Sequence, residues 1–103
     1  MEGEQMHFLI TAYDGDDIEA RNRRSKVREQ HLEGVRIGKE EGKHLYGAAI
    51  LDENDNMIGS IMVVDYPSKE VLINEWLNDE PYVTGDVWRK IDIKPCKVPE
   101  VFL

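Results

Sequence analysis

The chain has 103 residues, of which 41% are hydrophobic and 33% charged, and its formal net charge is −8 at pH 7. These values are typical of one globular domain, so we expect residues 1–103 to form a single domain and exclude a disordered chain. The negative charge repels phosphates, which argues against nucleic acid or an anionic membrane as the main partner.

Cysteine content and charge distribution narrow the class of protein further. The single cysteine, Cys96, excludes an internal disulfide bond and favours a reducing compartment, so we expect a cytoplasmic protein. No apolar run reaches the roughly 20 residues that a membrane-spanning helix needs. Between Glu19 and His44 there are eight lysine and arginine residues against five glutamates, and this locally basic segment could bind a small anion.

The first predicted element is a strand over 6–13, which is rich in apolar and aromatic residues and is closed by the turn sequence DGDD. Asp16 or Asp17 is then expected to cap a helix. That helix should run to about Glu41, where Gly42 provides a left-handed stop.

Two further strands are predicted over 44–51 and 57–65, and the short polar sequence DENDN between them predicts a hairpin. Ser68 is a good N-cap for a second helix with one apolar side. We expect an irregular link after Pro81 and a last strand over 87–93, where apolar and polar residues alternate.

The order of these elements, β-α-β-β-α-β, predicts an α+β ferredoxin-like fold, in which a four-stranded antiparallel sheet carries two helices on one face. The strands, however, have apolar residues at both parities, as in 8–10 and 61–64. Strands that are apolar on both sides should be buried on both sides. We therefore expect a homodimer in which the open sheet faces pack together.

One face of the first helix should pack on the sheet and carries a titratable side chain. His31 lies in the middle of this face, and Arg28 would flank it. Glycine costs about 1 kcal/mol relative to alanine inside a helix, so the two glycines on this face indicate a close approach to the strands. The face comprises Val27, His31, Gly34, Val35 and Gly38.

Two carboxylates, Asp79 and Glu80, stand at the predicted end of the second helix, where the backbone carries partial negative charge. Pro81 pushes the residue before it out of helical conformation. A carboxylate held there could accept a hydrogen bond from His31 and leave the other ring nitrogen as a base. Either acid could serve, and the alternative is that both are solvated.

Several aromatic and histidine residues can be explained by structural roles alone. Tyr13 and Tyr82 could line a pocket, although tyrosine is as often a core or interface residue. His7 and His44 open strands, and surface positions suffice for both. A lone histidine on an apolar helix face can also be a hydrogen-bonded core residue. No set of cysteine and histidine residues suits zinc and no glycine-rich phosphate motif occurs, so we expect no metal and no cofactor.

Two stretches of the sequence carry a family resemblance. They are VREQHLEGVRIGKEEGKHLYGAAI and NDEPYVTGDVWRKIDIKPCK, and together they resemble the YciI-like (YCII-related) family over Met6 to Lys97. The resemblance implies a dimeric α+β barrel and a site that pairs His31 with the acid before the proline. That acid is Glu80 where the family usually has aspartate, and Asp79 is the alternative. Arg28, Gly47 and Tyr82 hold the motif positions nearby.

The resemblance also implies a chemistry. Because a relative in chloroaromatic breakdown is a dehydrochlorinase with such a dyad, it implies proton abstraction from a small, cyclic, acidic substrate without a metal or cofactor. In this hypothesis His31 is the general base, Glu80 orients it, and Arg28 attracts an anionic substrate. The alternatives are a module that binds a small molecule without transforming it and a purely structural dimerising domain.

Overall fold

The computed structural model describes residues 6–103, which form a four-stranded antiparallel sheet with helices packed on one face. The order of strands in space is β2-β3-β1-β4, as in a ferredoxin-like fold, so the predicted fold class is confirmed. The strands are β1 (Met6–Asp14), β2 (His44–Leu51), β3 (Met57–Tyr66) and β4 (Trp88–Cys96). The helices are α1 (Ala20–Glu40), α2 (Lys69–Glu75) and α3 (Pro81–Thr84), with short 3-10 helices at Leu77–Asp79 and Glu100–Phe102.

Two of the predicted helix boundaries are made by the residues that the sequence indicated. Gly42 follows the end of α1 with a φ of +77°, and the Lys43 N–H beside it donates to the Gly38 carbonyl at 2.8 Å. At the start of α2 the Ser68 hydroxyl accepts the Val71 N–H at 3.1 Å. Local capping chemistry therefore sets both boundaries.

The predicted cap of α1 is wrong. The helix begins at Ala20, its N-cap residue is Glu19, and no side chain caps it. Asp17, the candidate nearer to the helix, accepts the N–H of Glu19 at 3.3 Å, before the first helical residue, and forms a salt bridge of 2.6 Å with Arg23, one turn inside α1. Its carboxylate therefore orders the turn that leads into α1 and does not cap the helix itself.

The last strand is longer than predicted. It begins at Trp88 and continues through Pro95 to Cys96, whereas the alternation of residues indicated a strand over 87–93. The strand β4 lies at the edge of the sheet, with Pro95 opposite Phe8 of β1. A proline is tolerated at an edge because its missing N–H can face away from the neighbouring strand.

The core lies between the sheet and the helices. Alternate residues of β1, namely Phe8, Ile10 and Ala12, are buried, and Met62 and Val64 of β3 lie beside them. Full burial of each large apolar side chain contributes about 1.5–3 kcal/mol to stability, so this layer holds the helices on the sheet. From the helical side and the start of β4 the core receives Leu72, Leu77, Tyr82, Val87 and Trp88.

The opposite face of the sheet is less well covered within residues 6–103. Leu9 of β1 and Ile61 and Val63 of β3 are half-buried there, and Tyr46 of β2 has 65% of its surface exposed. Because side chains alternate along β1, Tyr13 lies on this face as well, and it is 42% exposed. Apolar residues therefore occupy both faces, as the sequence indicated.

The C-terminal part of α1 approaches β2 closely at one of its two inner glycines. A methyl group at Gly38 would overlap the ring of His44, whereas one at Gly34 would meet no atom within 4 Å. The close approach predicted for both glycines is therefore confirmed for Gly38 and wrong for Gly34. His44 is buried against α1, so the expectation of a surface position for this residue is also wrong.

Candidate active site

The side chain of His31 points from α1 into the molecule and meets Glu80. Its Nδ1 lies 2.9 Å from Glu80 Oε2, and both side chains are buried. The predicted contact between the helix histidine and an acid before the proline is therefore present. Asp79, the alternative acid, is exposed at the end of a 3-10 helix, and its carboxylate makes no hydrogen bond or ion pair within residues 6–103.

Glu80 is held in place because it also begins the next helix. Its Oε1 accepts the N–H of Tyr82 at 2.7 Å, which makes Glu80 the side-chain N-cap of α3, and Pro81 occupies the first helical position. Proline and an acidic cap are both favoured at helix starts. The irregular link predicted directly after Pro81 is thus wrong, because the chain forms the helix α3 there. Glu80, which was predicted to stand at the end of the second helix, lies at the start of α3.

The imidazole of His31 is fixed by aromatic contacts as well. The ring of Tyr82 stacks on it at a centroid distance of 3.9 Å and an interplanar angle of 10°, and Trp88 meets it edge-on at 5.8 Å. Because an ionised Glu80 can only accept hydrogen bonds, we assign the hydrogen of the neutral ring to Nδ1. Nε2 then carries the lone pair that a general base needs.

A cavity of about 180 Å³ lies beside this pair, between α1 and strands β2 and β3. Gly47, which has no side chain, and Ala49, which has only a methyl group, form part of its wall and leave room for a ligand. An apolar cavity of about 150 Å³ is large enough for benzene, so this one can hold a single six-membered ring. Its lining includes Arg24, Arg28, His31, Gly47, Ser60 and Tyr82.

Two of the candidate substrate-binding residues lie elsewhere. Tyr13 is absent from the cavity wall because its side chain alternates to the opposite face of the sheet from Ala12. Asp79 is also absent from that wall. Tyr13 and Asp79 therefore lie outside this cavity, whereas Arg28, Gly47 and Tyr82 line it together with His31.

A buried arginine that the sequence analysis did not select completes the wall. Arg24 is only 6% exposed, and its Nη1 donates to both carboxylate oxygens of Asp14 at 2.9 Å. The guanidinium carbon lies 4.8 Å from the centroid of the Tyr82 ring. The sequence could have indicated this residue, because Arg24 precedes His31 by seven residues, about two helical turns, and so lies on the same side of α1.

Burial shapes the protonation of two groups near the cavity. It raises the pKa of Tyr82 above its usual value of 10.0, so the hydroxyl stays protonated at neutral pH. Burial also raises the pKa of Asp14, while the hydrogen bonds and charge of Arg24 oppose that rise. No three histidine, cysteine, aspartate or glutamate residues in the described part of the chain come together as a metal site.

Comparison with solved structures identifies the fold of this chain. Its structure is similar to that of 5-chloro-2-hydroxyhydroquinone dehydrochlorinase (TftG) from Burkholderia phenoliruptrix in complex with 2,5-dihydroxybenzoquinone, with a TM-score of 0.78 at 18% identity over 93% of this chain and 98% of that chain. A dimeric ferredoxin-like protein from an uncultured marine organism gives a TM-score of 0.50 at 14% identity over 91% and 94% of the two chains. These likenesses show the fold alone.

Sequence comparison gives the family. Protein YciI of Escherichia coli is 27% identical over 96 residues, which cover 87% of this chain and 97% of the relative, and protein YciI of Shigella flexneri gives the same values. No helix within residues 6–103 is long and apolar enough to cross a membrane. The family model of the YCII-related domain matches residues 6–97. The chain therefore belongs to the YCII-related domain family.

Proposed function

We propose that this protein is a small enzyme that removes a proton from a compact, anionic organic substrate, with His31 as the general base. The observation that carries the proposal is the buried contact between His31 Nδ1 and Glu80 Oε2 at the wall of a ring-sized cavity. Glu80 fixes the tautomer and stabilises the imidazolium that forms when Nε2 accepts a proton. The step needs no cofactor, because imidazole supplies a base near neutral pH.

The charge around the cavity supports an anionic substrate. Arg28 lies on the cavity wall and is exposed, and it forms no salt bridge with any residue from 6 to 103. An unpaired guanidinium at the opening of a site can attract and orient a carboxylate or phenolate. The deeper Arg24 is neutralised by Asp14, so the free positive charge is that of Arg28.

The dehydrochlorinase of similar fold suggests the first substrates to test. Its name and bound molecule describe a chlorinated hydroquinone and a dihydroxybenzoquinone, which are single six-membered rings with acidic hydroxyl groups. Rings of this size match the volume of the cavity in this chain. Elimination of hydrogen chloride or isomerisation of such a ring would begin with the proton transfer that we propose for His31.

We further propose that the protein is a cytoplasmic homodimer whose open sheet faces pack together. Leu9 and Val63 on that face are only half-buried in one chain, and the exposed aromatic ring of Tyr46 lies beside Val63 in the neighbouring strand. The C-terminal residues Val101 and Phe102 are 85% and 78% exposed. Burial of these apolar surfaces against a second copy would remove them from water.

Turnover measurements test the enzyme directly. Wild type, His31→Ala and the adjacent surface control Gln30→Ala are incubated with chlorinated hydroquinones and with small lactones, and chloride release and absorbance are followed. We expect wild type and the control to turn over one of these classes and the His31 variant to lose roughly 100-fold or more of the rate. Equal rates for His31→Ala and wild type would exclude the proposed base.

A second outcome separates the binding module from the enzyme. If wild type binds 2,5-dihydroxybenzoquinone, His31→Ala binds it less well, and no tested compound is converted, the cavity is a ligand site without chemistry. If His31→Ala only unfolds and wild type binds nothing, the histidine has a structural role. Far-UV circular dichroism of each variant distinguishes loss of function from loss of fold.

A further inference from the structure

The buried serine of β3 sits at the junction of two side chains that can only donate hydrogen bonds. Ser60 Oγ accepts from Arg24 Nη2 at 3.0 Å and from Trp88 Nε1 at 3.1 Å, and Ser60 is 5% exposed. The residue opposite it in β2 is Ala49, whose methyl group leaves this part of the sheet open. Ser60 lines the same cavity as His31.

The hydrogen-bonding capacity of a hydroxyl decides where its own hydrogen can go. A serine oxygen has two acceptor sites and one hydrogen, and neither a guanidinium nor an indole N–H can accept. Arg24 and Trp88 therefore fill both acceptor sites of Ser60 and leave its hydrogen unused. Within residues 6–103 this hydroxyl donates no hydrogen bond. A buried donor without an acceptor is costly, unless a ligand oxygen supplies one.

We infer that the Ser60 hydroxyl binds the oxygen of the substrate that gains negative charge when His31 removes the proton. This inference rests on the proposed function and names its substrate class: rings or chains with a carbonyl oxygen conjugated to the carbon that loses hydrogen, such as the keto tautomer of a phenol, so that this oxygen becomes an enolate or phenolate. The C–H bond breaks, its proton joins His31 Nε2, and the electron pair moves through the conjugated system to that oxygen. The serine keeps its own hydrogen throughout.

The neighbours of Ser60 make its hydroxyl a better donor to an anion than a solvated serine. The cation of Arg24 donates to the serine oxygen, and a hydrogen bond accepted by a hydroxyl polarises its O–H toward a stronger donation. Arg24 is itself tied to Asp14 through both carboxylate oxygens, so its position does not depend on the ligand. A fixed donor requires no reorganisation during reaction.

Binding of para-nitrophenol tests the inference without any turnover, because the phenol and its phenolate differ in colour. A cavity with an oxyanion donor binds the phenolate in preference and lowers the apparent pKa of the bound probe, whereas an apolar cavity binds the neutral phenol and raises it. We expect a lowered pKa in wild type. A raised pKa in wild type would overturn the inference.

Variants assign the effect to the serine. In Ser60→Ala the preference for phenolate should fall at least tenfold, and in Ser60→Thr, which retains a hydroxyl, it should be largely kept. The titration is repeated in the His31→Gln background, where the imidazole cannot take the phenol proton, and the dependence on Ser60 should persist. Loss of that dependence in the His31→Gln background would overturn the inference, and circular dichroism checks that each variant is folded.

The two proposals fail in distinguishable ways. A Ser60-dependent preference for phenolate, together with no turnover of any substrate, would reject the enzyme and keep the oxygen-binding site. Turnover that needs His31 but is unchanged in folded Ser60→Ala would keep the enzyme and reject the role of the serine.

Discussion

Glu80 caps the helix that carries Tyr82, because its Oε1 accepts the Tyr82 N–H at 2.7 Å while its Oε2 bonds His31 at 2.9 Å. One carboxylate thus sets both the position of the ring that stacks on the imidazole and the hydrogen bond that orients the imidazole. The capping contact joins residues two apart in sequence, and the histidine contact joins residues 49 apart. Stability and the candidate chemistry therefore depend on the same side chain.

Removal of this carboxylate should be costly to stability, whereas removal of its neighbour should not. In Glu80→Ala both the Tyr82 N–H and His31 Nδ1 lose their partner inside the protein, so we expect the free energy of unfolding to fall by roughly 2–4 kcal/mol. Asp79→Ala is the matched control, and as an exposed substitution it should change that free energy by no more than about 0.5 kcal/mol. Urea unfolding measures both, and similar losses for the two variants would contradict this structure.

The two glycines on the inner side of α1 should respond in opposite directions to the same substitution. In Gly38→Ala the new methyl group overlaps the His44 ring, so we expect a loss of roughly 1–3 kcal/mol in the free energy of unfolding. In Gly34→Ala the methyl group meets nothing within 4 Å, and the better helix propensity of alanine should add up to about 1 kcal/mol. Thermal denaturation compares them, and a stabilised Gly38→Ala would show that α1 lies farther from β2.

Acid should destabilise the protein through His44. Burial lowers the pKa of this histidine below its ordinary value of 6.5, while a contact with the backbone of Val35 opposes this shift without cancelling it. The unfolded chain then binds the proton more readily, so stability is lost as the pH falls through 6.5. The loss from this group can reach about 1.4 kcal/mol per pH unit.

The slope of stability with pH isolates this contribution. Unfolding free energies of wild type and His44→Gln are measured between mildly alkaline and mildly acidic pH. The variant should be less stable throughout but should lose less stability on acidification, because it has no proton to bind at this position. Parallel curves for the two proteins would assign the acid sensitivity to other groups.

A charge on the open face of the sheet should dissociate the proposed dimer. Leu9 lies in β1 between Val63 and Lys94, so a lysine at this position would bring an unpaired charge into the interface. Sedimentation equilibrium should give wild type about twice the chain mass of 11.9 kDa and Leu9→Lys the mass of one chain. The control Asn74→Lys, on the exposed side of α2, should remain a dimer, and a monomeric wild type would refute the interface.

Hydrophobic periodicity predicted most of the fold but not the short elements. The strand β2 has the bounds that its apolar run indicated, 44–51, because both of its ends are marked by polar turns. The helix α3 has only four residues, too few for a periodic pattern. The Glu80-Pro81 pair was the available signal for it, since proline at the first helical position is common.

Residues of the candidate site could be predicted only where they belong to a local sequence pattern or to a motif of the family resemblance. His31 and its acid were found in this way, and the alternation of Phe8, Ile10 and Ala12 already placed Tyr13 on the other face. Ser60 could not be found, because its partners are 36 and 28 residues away and meet it only through tertiary packing.

The tautomer of His31 tests the central claim most directly. Heteronuclear nitrogen NMR of histidine-labelled protein, at a pH where the ring is neutral, reports which nitrogen carries the hydrogen. We expect a protonated Nδ1 and an unprotonated Nε2, with the His31 signals identified by their loss in His31→Ala. A protonated Nε2 with a bare Nδ1 would mean that Glu80 donates the hydrogen bond as a neutral acid, and His31 would then offer the cavity no base.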